Sequence, residues 1–295
     1  FLIFMILISG CASQEVENDE KVKITTMNFP QYDFARQLAL DLGDVQMLMP
    51  PGGESHTYEP SPQDILKIQK SDIFIYTGGE SDVWVDEILK TLGNSDMRVI
   101  KLMDAVEPLE IEGEHSHEAT QYDEHVWTSP KNAMKIAIKI CDELKATDEK
   151  NADSYQNNLN DYIEKLQELD KKYDEGTKGA KRNTLVFGDR FPFLYLARDY
   201  GLEFLSAFPG CAEETEPDVK TVKELIDKVN AENIPIVFYI EFSNQKLCDA
   251  ICKETGAKKA LLHSAHSVTK KELENGITYI DIMNKNLASI KEALN

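Results

Sequence analysis

The feature that most limits how this chain can fold is one long helical segment near its middle. Residues 151–176, NADSYQNNLNDYIEKLQELDKKYDEG, place apolar side chains at steps of three and four, with neither Gly nor Pro in the interior. This pattern predicts one helix of about 25 residues, roughly 37 Å long. A coiled-coil partner is one interpretation of its apolar stripe. We favour the other, in which the helix is a rigid strut packed along two flanking lobes.

Short β-branched runs alternate with amphipathic segments on both sides of this helix. Such alternation is typical of βαβ units with a parallel sheet. We therefore expect an α/β fold in which two parallel-sheet lobes, residues 22–150 and 178–295, are joined by a helix at 151–177. The predicted strands are 22–27, 45–49, 72–77 and 97–102 in the first lobe, and 183–188, 203–208, 234–240 and 258–263 in the second.

The first 21 residues look like a targeting segment followed by a tether. The apolar run in FLIFMILISGCASQ is shorter than the roughly 20 residues that span a bilayer, and it is typical of a signal-peptide core. ISGC resembles the lipobox of bacterial lipoproteins, which predicts lipidation of Cys11; an ordinary cleavage site beside a free cysteine is the alternative. We expect an extracytoplasmic protein anchored to the cell membrane through Cys11.

The charge of the chain restricts its partners. With 295 residues, a net charge of −20 and a pI near 4.7, the chain is a poor match for nucleic acid or for direct docking on an anionic membrane surface. We expect small, neutral or cationic ligands and a monomer.

The histidines stand where strands end and helices begin. His56 and His125 each precede a Ser-Pro helix start, at Ser61-Pro62 and Ser129-Pro130, while His263 and His266 end the last predicted strand. Open α/β sheets bind ligands at the carboxyl ends of their strands. Because imidazole is the commonest metal ligand, the pattern favours a zinc site between the lobes.

From Val22 onward, the chain resembles the receptor lipoproteins of ABC importers for zinc and manganese. The most specific segments are SHTYEPSP, which is close to a His-x-Tyr-Glu-Pro motif, DEHVWTSP, and YTGGESDVW. The resemblance implies two lobes on one long helix, a metal site in the cleft, an ABC permease as partner, and His56 and His125 as ligands.

The second lobe departs from the family pattern. Gly188 stands where the family commonly has a His or Glu ligand, and His263 stands where it commonly has Asp. The resemblance therefore implies His56, His125 and His263 as ligands of Zn²⁺, with Mn²⁺ as the alternative ion. The fourth ligand stays open among water and four residues: Asp189, Glu214, Glu241 and His266. An open fourth position is also typical of catalytic zinc, so a secreted zinc hydrolase is the rival from another class.

Two further groups of residues each carry an expectation. His115 and His117 lie in an acidic stretch directly before His125, where the family often has a zinc-collecting loop. They predict either a weak zinc site or a solvated acidic loop. Among Cys211, Cys248 and Cys252 a disulfide is permitted outside the cytoplasm, and Cys211 with Cys252 is the pair we expect.

Overall fold

A computed structural model describes residues 21–93, 96–111, 121–208 and 218–295. The predicted signal segment, Cys11, His115, His117, Cys211 and Glu214 lie outside these ranges. Among the helices within them, none is both long and apolar enough to cross a membrane.

The first lobe is built on a four-stranded parallel sheet with the order β2-β1-β3-β4. The central strands are buried on both faces, as expected when helices cover both sides of a parallel sheet. The strands are β1 (Val22–Thr26), β2 (Gly43–Met47), β3 (Ile73–Tyr76) and β4 (Arg98–Lys101).

The second lobe repeats this topology, with four parallel strands in the order β6-β5-β7-β8. Its strands are β5 (Thr184–Arg190), β6 (Glu203–Phe208), β7 (Ile236–Tyr239) and β8 (Lys258–Leu261). All eight predicted strands are therefore present, with ends that differ by a few residues. The expected α/β fold with two parallel sheets is confirmed.

The helices follow the strands in alternation. In the first lobe they are α1 (Phe29–Ala39), α2 (Pro62–Gln69), α3 (Val83–Leu92) and α4 (Pro130–Thr147), and the long helix is α5 (Ala152–Thr177). In the second lobe they are α6 (Leu194–Tyr200), α7 (Val219–Glu232), α8 (Lys246–Thr255), α9 (Lys270–Glu274) and α10 (Tyr279–Leu294).

Helix α5 packs along both lobes, as the strut interpretation requires. One face of this 26-residue helix is buried, and a single hydrophobic core runs from the first lobe through that face into the second. Near the start of α5, Asn158 Nδ2 donates to Leu38 O of α1 at 2.8 Å; near its end, Tyr173 Oη donates to Met283 O of α10 at 2.7 Å. The buried face consists of Tyr155, Leu159, Tyr162, Leu166, Leu169 and Tyr173.

The lobes also contact each other directly, beside the carboxyl ends of their strands. Tyr279 at the start of α10 donates its backbone N–H to Asp33 of α1 at 2.7 Å and its hydroxyl to Trp127 O at 2.8 Å. Trp127 in turn donates its indole N–H to Ser264 O at 2.8 Å. These bonds between fully or largely buried groups fix the position of one lobe relative to the other around a shared cleft.

The cysteines within the described ranges are free thiols. Cys141 and Cys248 are buried and Cys252 is half-buried. Burial raises the pKa of the Cys141 thiol to about 11. Cys211 lies outside the described residues, so the expected Cys211–Cys252 disulfide stays a prediction.

Candidate metal centre

His56 is carried by the loop between β2 and α2. The loop contains a 3₁₀ turn over Ser55–Thr57. Four residues later, α2 starts at a capping box. In this box Ser61 Oγ accepts from Asp64 N at 3.3 Å, while Asp64 Oδ2 accepts from Ser61 N at 3.1 Å. The cap fixes the helix start five residues after His56 and so limits where the loop can place the imidazole.

His125 is held at the start of α4. It precedes a buried 3₁₀ turn over Val126–Thr128, and Thr128 Oγ1 donates back to His125 O at 2.8 Å. Ser129 then caps α4, accepting from Lys131 N at 3.2 Å. The side chain of His125 is 3% exposed, so the imidazole points into the protein.

His266 belongs to the second lobe and follows β8. It is buried, and its Nε2 has no hydrogen-bond partner within the part of the chain that the structure describes. A buried polar atom without a partner costs on the order of 1–3 kcal/mol, so such an atom is often explained by an ion or a ligand.

The three imidazoles converge in the cleft. His56, His125 and His266 each offer one ligand atom, and these atoms all lie within 4.8 Å of one another. Ring centroids are separated by 6.3 Å for His56–His125, 5.8 Å for His56–His266 and 5.6 Å for His125–His266. Around a tetrahedral zinc with Zn–N bonds of about 2.0–2.1 Å, ligand nitrogens are about 3.4 Å apart. A small inward movement therefore suffices for coordination.

The electrostatics of the cluster favour neutral imidazole. Burial lowers the pKa of His266 well below its usual value, and the neighbouring His125, His56 and Arg190 lower it further. A neutral imidazole keeps a lone pair for a metal, whereas an imidazolium does not.

Two consecutive acids stand behind the first-lobe histidines. Asp123 Oδ1 lies 2.6 Å from His125 Nδ1, and Glu124 Oε1 lies 3.6 Å from His56 Nδ1. Glu124 is itself held by Ser81, whose hydroxyl donates to it at 2.9 Å. Carboxylates in this position orient a ligating imidazole and raise its basicity. The sequence reasoning missed them, although acids one and two residues before a candidate ligand are a usable signal.

Trp127 forms one wall of the cluster. Its ring lies edge-on to His125 at 5.5 Å and to His266 at 5.3 Å between centroids, and it is fully buried. The indole thus restricts the rotamers of one histidine from each lobe and keeps water from that side of the site.

The structure brings together a different second-lobe histidine from the one expected. The side chain of His263 does not join the cluster: its Nδ1 accepts from Ala265 N at 2.9 Å and lies 3.6 Å from Glu241 Oε1. Asn286 of α10 bonds both the N–H and the C=O of His263, at 2.8 and 2.7 Å. His266, which the sequence offered only as a candidate fourth ligand, lies in the cleft instead.

The two acidic candidates for the fourth ligand that the structure describes are engaged by protein donors. Glu241 accepts from Ser264 N at 2.8 Å and from the Ser264 hydroxyl. Asp189 accepts from Ile240 N at 3.3 Å and from Arg190 N at 2.9 Å. Glu241 does line a small cavity of about 30 Å³ that His266 also borders, with room for about one water molecule.

Gly188 has no room for a side chain, which explains why this position supplies no ligand. A Cβ atom on Gly188 would lie 2.6 Å from Cys248 Cα and 2.8 Å from Cys248 N. The backbone of α8 therefore packs directly on β5 at this position, and no side chain fits between them.

Comparisons with known proteins agree with the fold and define the family. Residues 24–293 match the family described as zinc-uptake complex component A, periplasmic. The zinc-binding lipoprotein AdcA of Streptococcus pneumoniae strain R6 is 35% identical over 98% of this chain, and the match covers 60% of AdcA. The chain thus spans about three fifths of the length of these streptococcal relatives. The high-affinity zinc uptake system protein ZnuA of Bacillus subtilis is 31% identical, with 98% of this chain and 94% of that protein covered.

Solved structures show the same architecture. The Zn(II)-bound ZnuA-like domain of Streptococcus pneumoniae AdcA superposes with a TM-score of 0.79 at 34% identity, covering 93% of this chain and 99% of that domain. The metal-dependent lipoprotein YcdH of Bacillus subtilis gives a TM-score of 0.81 at 31% identity, covering 93% and 99%.

Two parallel α/β lobes on one long helix, with imidazoles from both lobes in the cleft, are the features of a two-lobed solute-binding protein. The chain belongs to the family of the zinc-uptake complex component A.

Proposed function

We propose that this chain is an extracytoplasmic receptor that binds Zn²⁺ in the cleft and delivers it to the permease of an ABC importer. The observation that carries the proposal is the convergence of His56, His125 and His266 from two lobes. Each lobe supplies only part of the ligand set, so the ion is bound when the lobes are together and is released when they separate.

The donor set favours zinc over manganese. Zinc gains from imidazole nitrogen and accepts a compact tetrahedral shell, whereas manganese is low in the divalent affinity order and prefers oxygen ligands. The two second-lobe carboxylates that are candidate ligands, Glu241 and Asp189, already accept hydrogen bonds from the protein. Manganese is the second candidate ion, and its binding requires at least one of these carboxylates to move onto the metal.

A secreted zinc hydrolase is less well supported. Such an enzyme needs a general base beside a metal-bound water, and the sequence has no His-Glu-x-x-His motif. Glu241 lines the small cavity beside His266 and is a candidate base, but both of its oxygens accept from Ser264. The family to which the chain belongs is one of solute-binding components rather than enzymes.

The membrane location belongs to the same proposal. Cys11 is the site of a lipid anchor, the following polar residues are the tether, and the receptor acts as a monomer beside its permease. Replacing Cys11 with Ser in the full-length protein is expected to release the protein from the membrane fraction or to leave it unprocessed. Equal membrane retention of both forms, with normal processing, would remove the anchor from the proposal.

The test of the zinc function is a competition titration on metal-stripped protein against a chelating dye. The wild-type protein should bind one Zn²⁺ tightly and Mn²⁺ at least about 100-fold more weakly. Substituting His56, His125 and His266 together with Ala should abolish tight binding of Zn²⁺. Anomalous scattering from crystals grown with zinc then gives the ligands directly. Manganese binding as tight as zinc binding, or zinc located away from these histidines, would contradict the proposal.

A further inference from the structure

The loop that carries His56 is bonded to the opposite lobe at two points just before the histidine. Gly52 N donates to Ser267 Oγ at 3.0 Å, and Glu54 Oε2 lies 3.7 Å from Arg190 Nη1. Ser267 directly follows His266, and Arg190 is the last residue of β5. Both contacts therefore cross the cleft beside the metal cluster.

The backbone of the loop is shaped for this approach. Gly52 has φ = +79°, a conformation that favours glycine, and its backbone N–H faces the second lobe. The loop rests against Phe242, whose Cε1 would lie 3.8 Å from a Cβ on Gly52. Phe242 itself has φ = +60°, which is unusual for a residue with a Cβ atom, and the residue is 52% exposed. Strained backbone of this kind persists where the surrounding structure fixes it, and it clusters at ligand clamps.

Arg190 is an unexpected residue at the edge of a cation site. Its guanidinium lines the same small cavity as His266 and repels a divalent ion bound there. Glu54 and Asp189 balance that charge, and Glu54 comes from the other lobe. The side chain of Arg190 is 24% exposed and that of Glu54 is 44% exposed, so water partly screens this pair.

We propose that Arg190 and Ser267 are positioning residues that form a clasp with Glu54 and Gly52, holding the His56 loop against the second lobe. The clasp keeps His56 within reach of His266, so it slows the loss of zinc from the closed cleft. Opening of the clasp is then part of the hand-over to the permease. This inference rests on the proposed zinc-binding function and assigns residues to its retention step.

The experiment measures zinc dissociation from the whole protein by stopped-flow capture with excess chelator. The variants are Glu54→Gln, Arg190→Gln, the two combined, and Ser267→Ala. Arg98→Gln is the matched control, because Arg98 pairs with Glu143 at 2.9 Å in the first lobe and lies away from the cleft loop. Hydrogen exchange of peptide 50–57, with and without zinc, is followed in the same variants.

Glu54→Gln should raise the zinc dissociation rate about five- to tenfold, because it breaks the pair and leaves the Arg190 charge unbalanced beside the ion. Arg190→Gln should raise the rate less, since it also removes that repulsion, and the double variant should not exceed Glu54→Gln, because both changes remove one interaction. Ser267→Ala should raise the rate as well. Zinc-dependent protection of peptide 50–57 should fall, and Arg190→Lys should restore part of it. The melting temperature of the metal-free variants should stay close to that of Arg98→Gln, since a clasp at the cleft rim adds little to global stability.

Dissociation rates within about twofold of Arg98→Gln, or additive effects of Glu54→Gln and Arg190→Gln, would overturn the clasp. Should Arg190→Gln fail to fold, Glu54→Gln and Ser267→Ala carry the same test. Wild-type protein that does not bind zinc would instead overturn the proposed function itself. The two failures are therefore distinguishable.

Discussion

Asp123 Oδ1 lies 2.6 Å from His125 Nδ1, and the same oxygen accepts the backbone N–H of His125 at 2.8 Å. Both groups are almost completely buried. The carboxylate thus holds the proton of the imidazole on Nδ1 and leaves the Nε2 lone pair for a metal. The short segment Asp123–His125 therefore contains a ligand together with the group that orients it.

Asp123→Asn is expected to weaken zinc binding about 10- to 100-fold, because the amide keeps the size of the carboxylate but loses the charge that orients and polarises the ring. Competition titration on metal-stripped protein measures the change. Asp142→Asn on α4 is the control, since Asp142 is 59% exposed and pairs with Lys145 one turn away. An affinity equal to that of the control would show that Asp123 does not support the ligand.

His266→Ala and His263→Ala are expected to have opposite effects. Removing His266 deletes a cluster ligand and a buried atom without a partner, so zinc affinity should fall by orders of magnitude with little loss of stability. Removing His263 leaves Ala265 N without its acceptor, at a cost of about 1–3 kcal/mol, while zinc affinity stays near the wild-type value. Titration and urea unfolding of both variants decide this; the reverse pattern would return His263 to the site.

Most of the fold is predictable from local patterns. The strands β1 to β8 can be recognised in the sequence because β-branched runs alternate with amphipathic segments. This alternation is typical of a parallel sheet with helices on both faces. Helix α5 can be predicted because its apolar side chains recur at helical spacing from Tyr155 to Tyr173 without a break. Neither inference needs contacts between distant residues.

The second-lobe ligand was harder to predict, because it depends on contacts that spacing does not reveal. His263 and His266 both follow β8 within a few residues. Their different roles come from Asn286, 23 residues beyond His263, which fixes its backbone, and from Ala265 at φ = +61°, which turns the chain. The same holds for Gly188, because only the close approach of α8 shows that no side chain fits at this position.

Gly188→His is expected to destabilise the protein and to add no zinc ligand. A Cβ at this position would lie 2.6 Å from Cys248 Cα, so β5 and α8 must separate, at a cost of about 1–3 kcal/mol or more. Thermal unfolding of metal-free protein measures the cost, and Gly188→Ala should already show most of it. A variant with unchanged stability and tighter zinc binding would mean that the side chain reaches the cleft after all.

Asp82 gives the first lobe a measurable pH dependence. Burial, together with the nearby Glu124 carboxylate, raises the pKa of Asp82 from 3.8 to about 6, although Thr77 N and Gly78 N donate to Oδ2 at 2.7 and 3.0 Å. The folded state therefore holds this proton more tightly than the unfolded state between about pH 4 and pH 6. The contribution of Asp82 to stability is largest below that window and is lost as the pH rises through it, because the folded state must then bury a charged carboxylate.

Asp82→Asn should remove this dependence, since the amide oxygen still accepts from Thr77 and Gly78 and carries no charge at any pH. A shift of about two pKa units corresponds to about 3 kcal/mol, so the stability of Asp82→Asn relative to wild type should rise by up to that amount between pH 4 and pH 7. Urea unfolding of both metal-free proteins across this range measures the difference. Asp86→Asn, an exposed change on α3, the helix that directly follows Asp82, should show no such trend. A stability difference that stays constant with pH would mean that Asp82 is ionised in the folded protein throughout, and that its two backbone donors outweigh its burial.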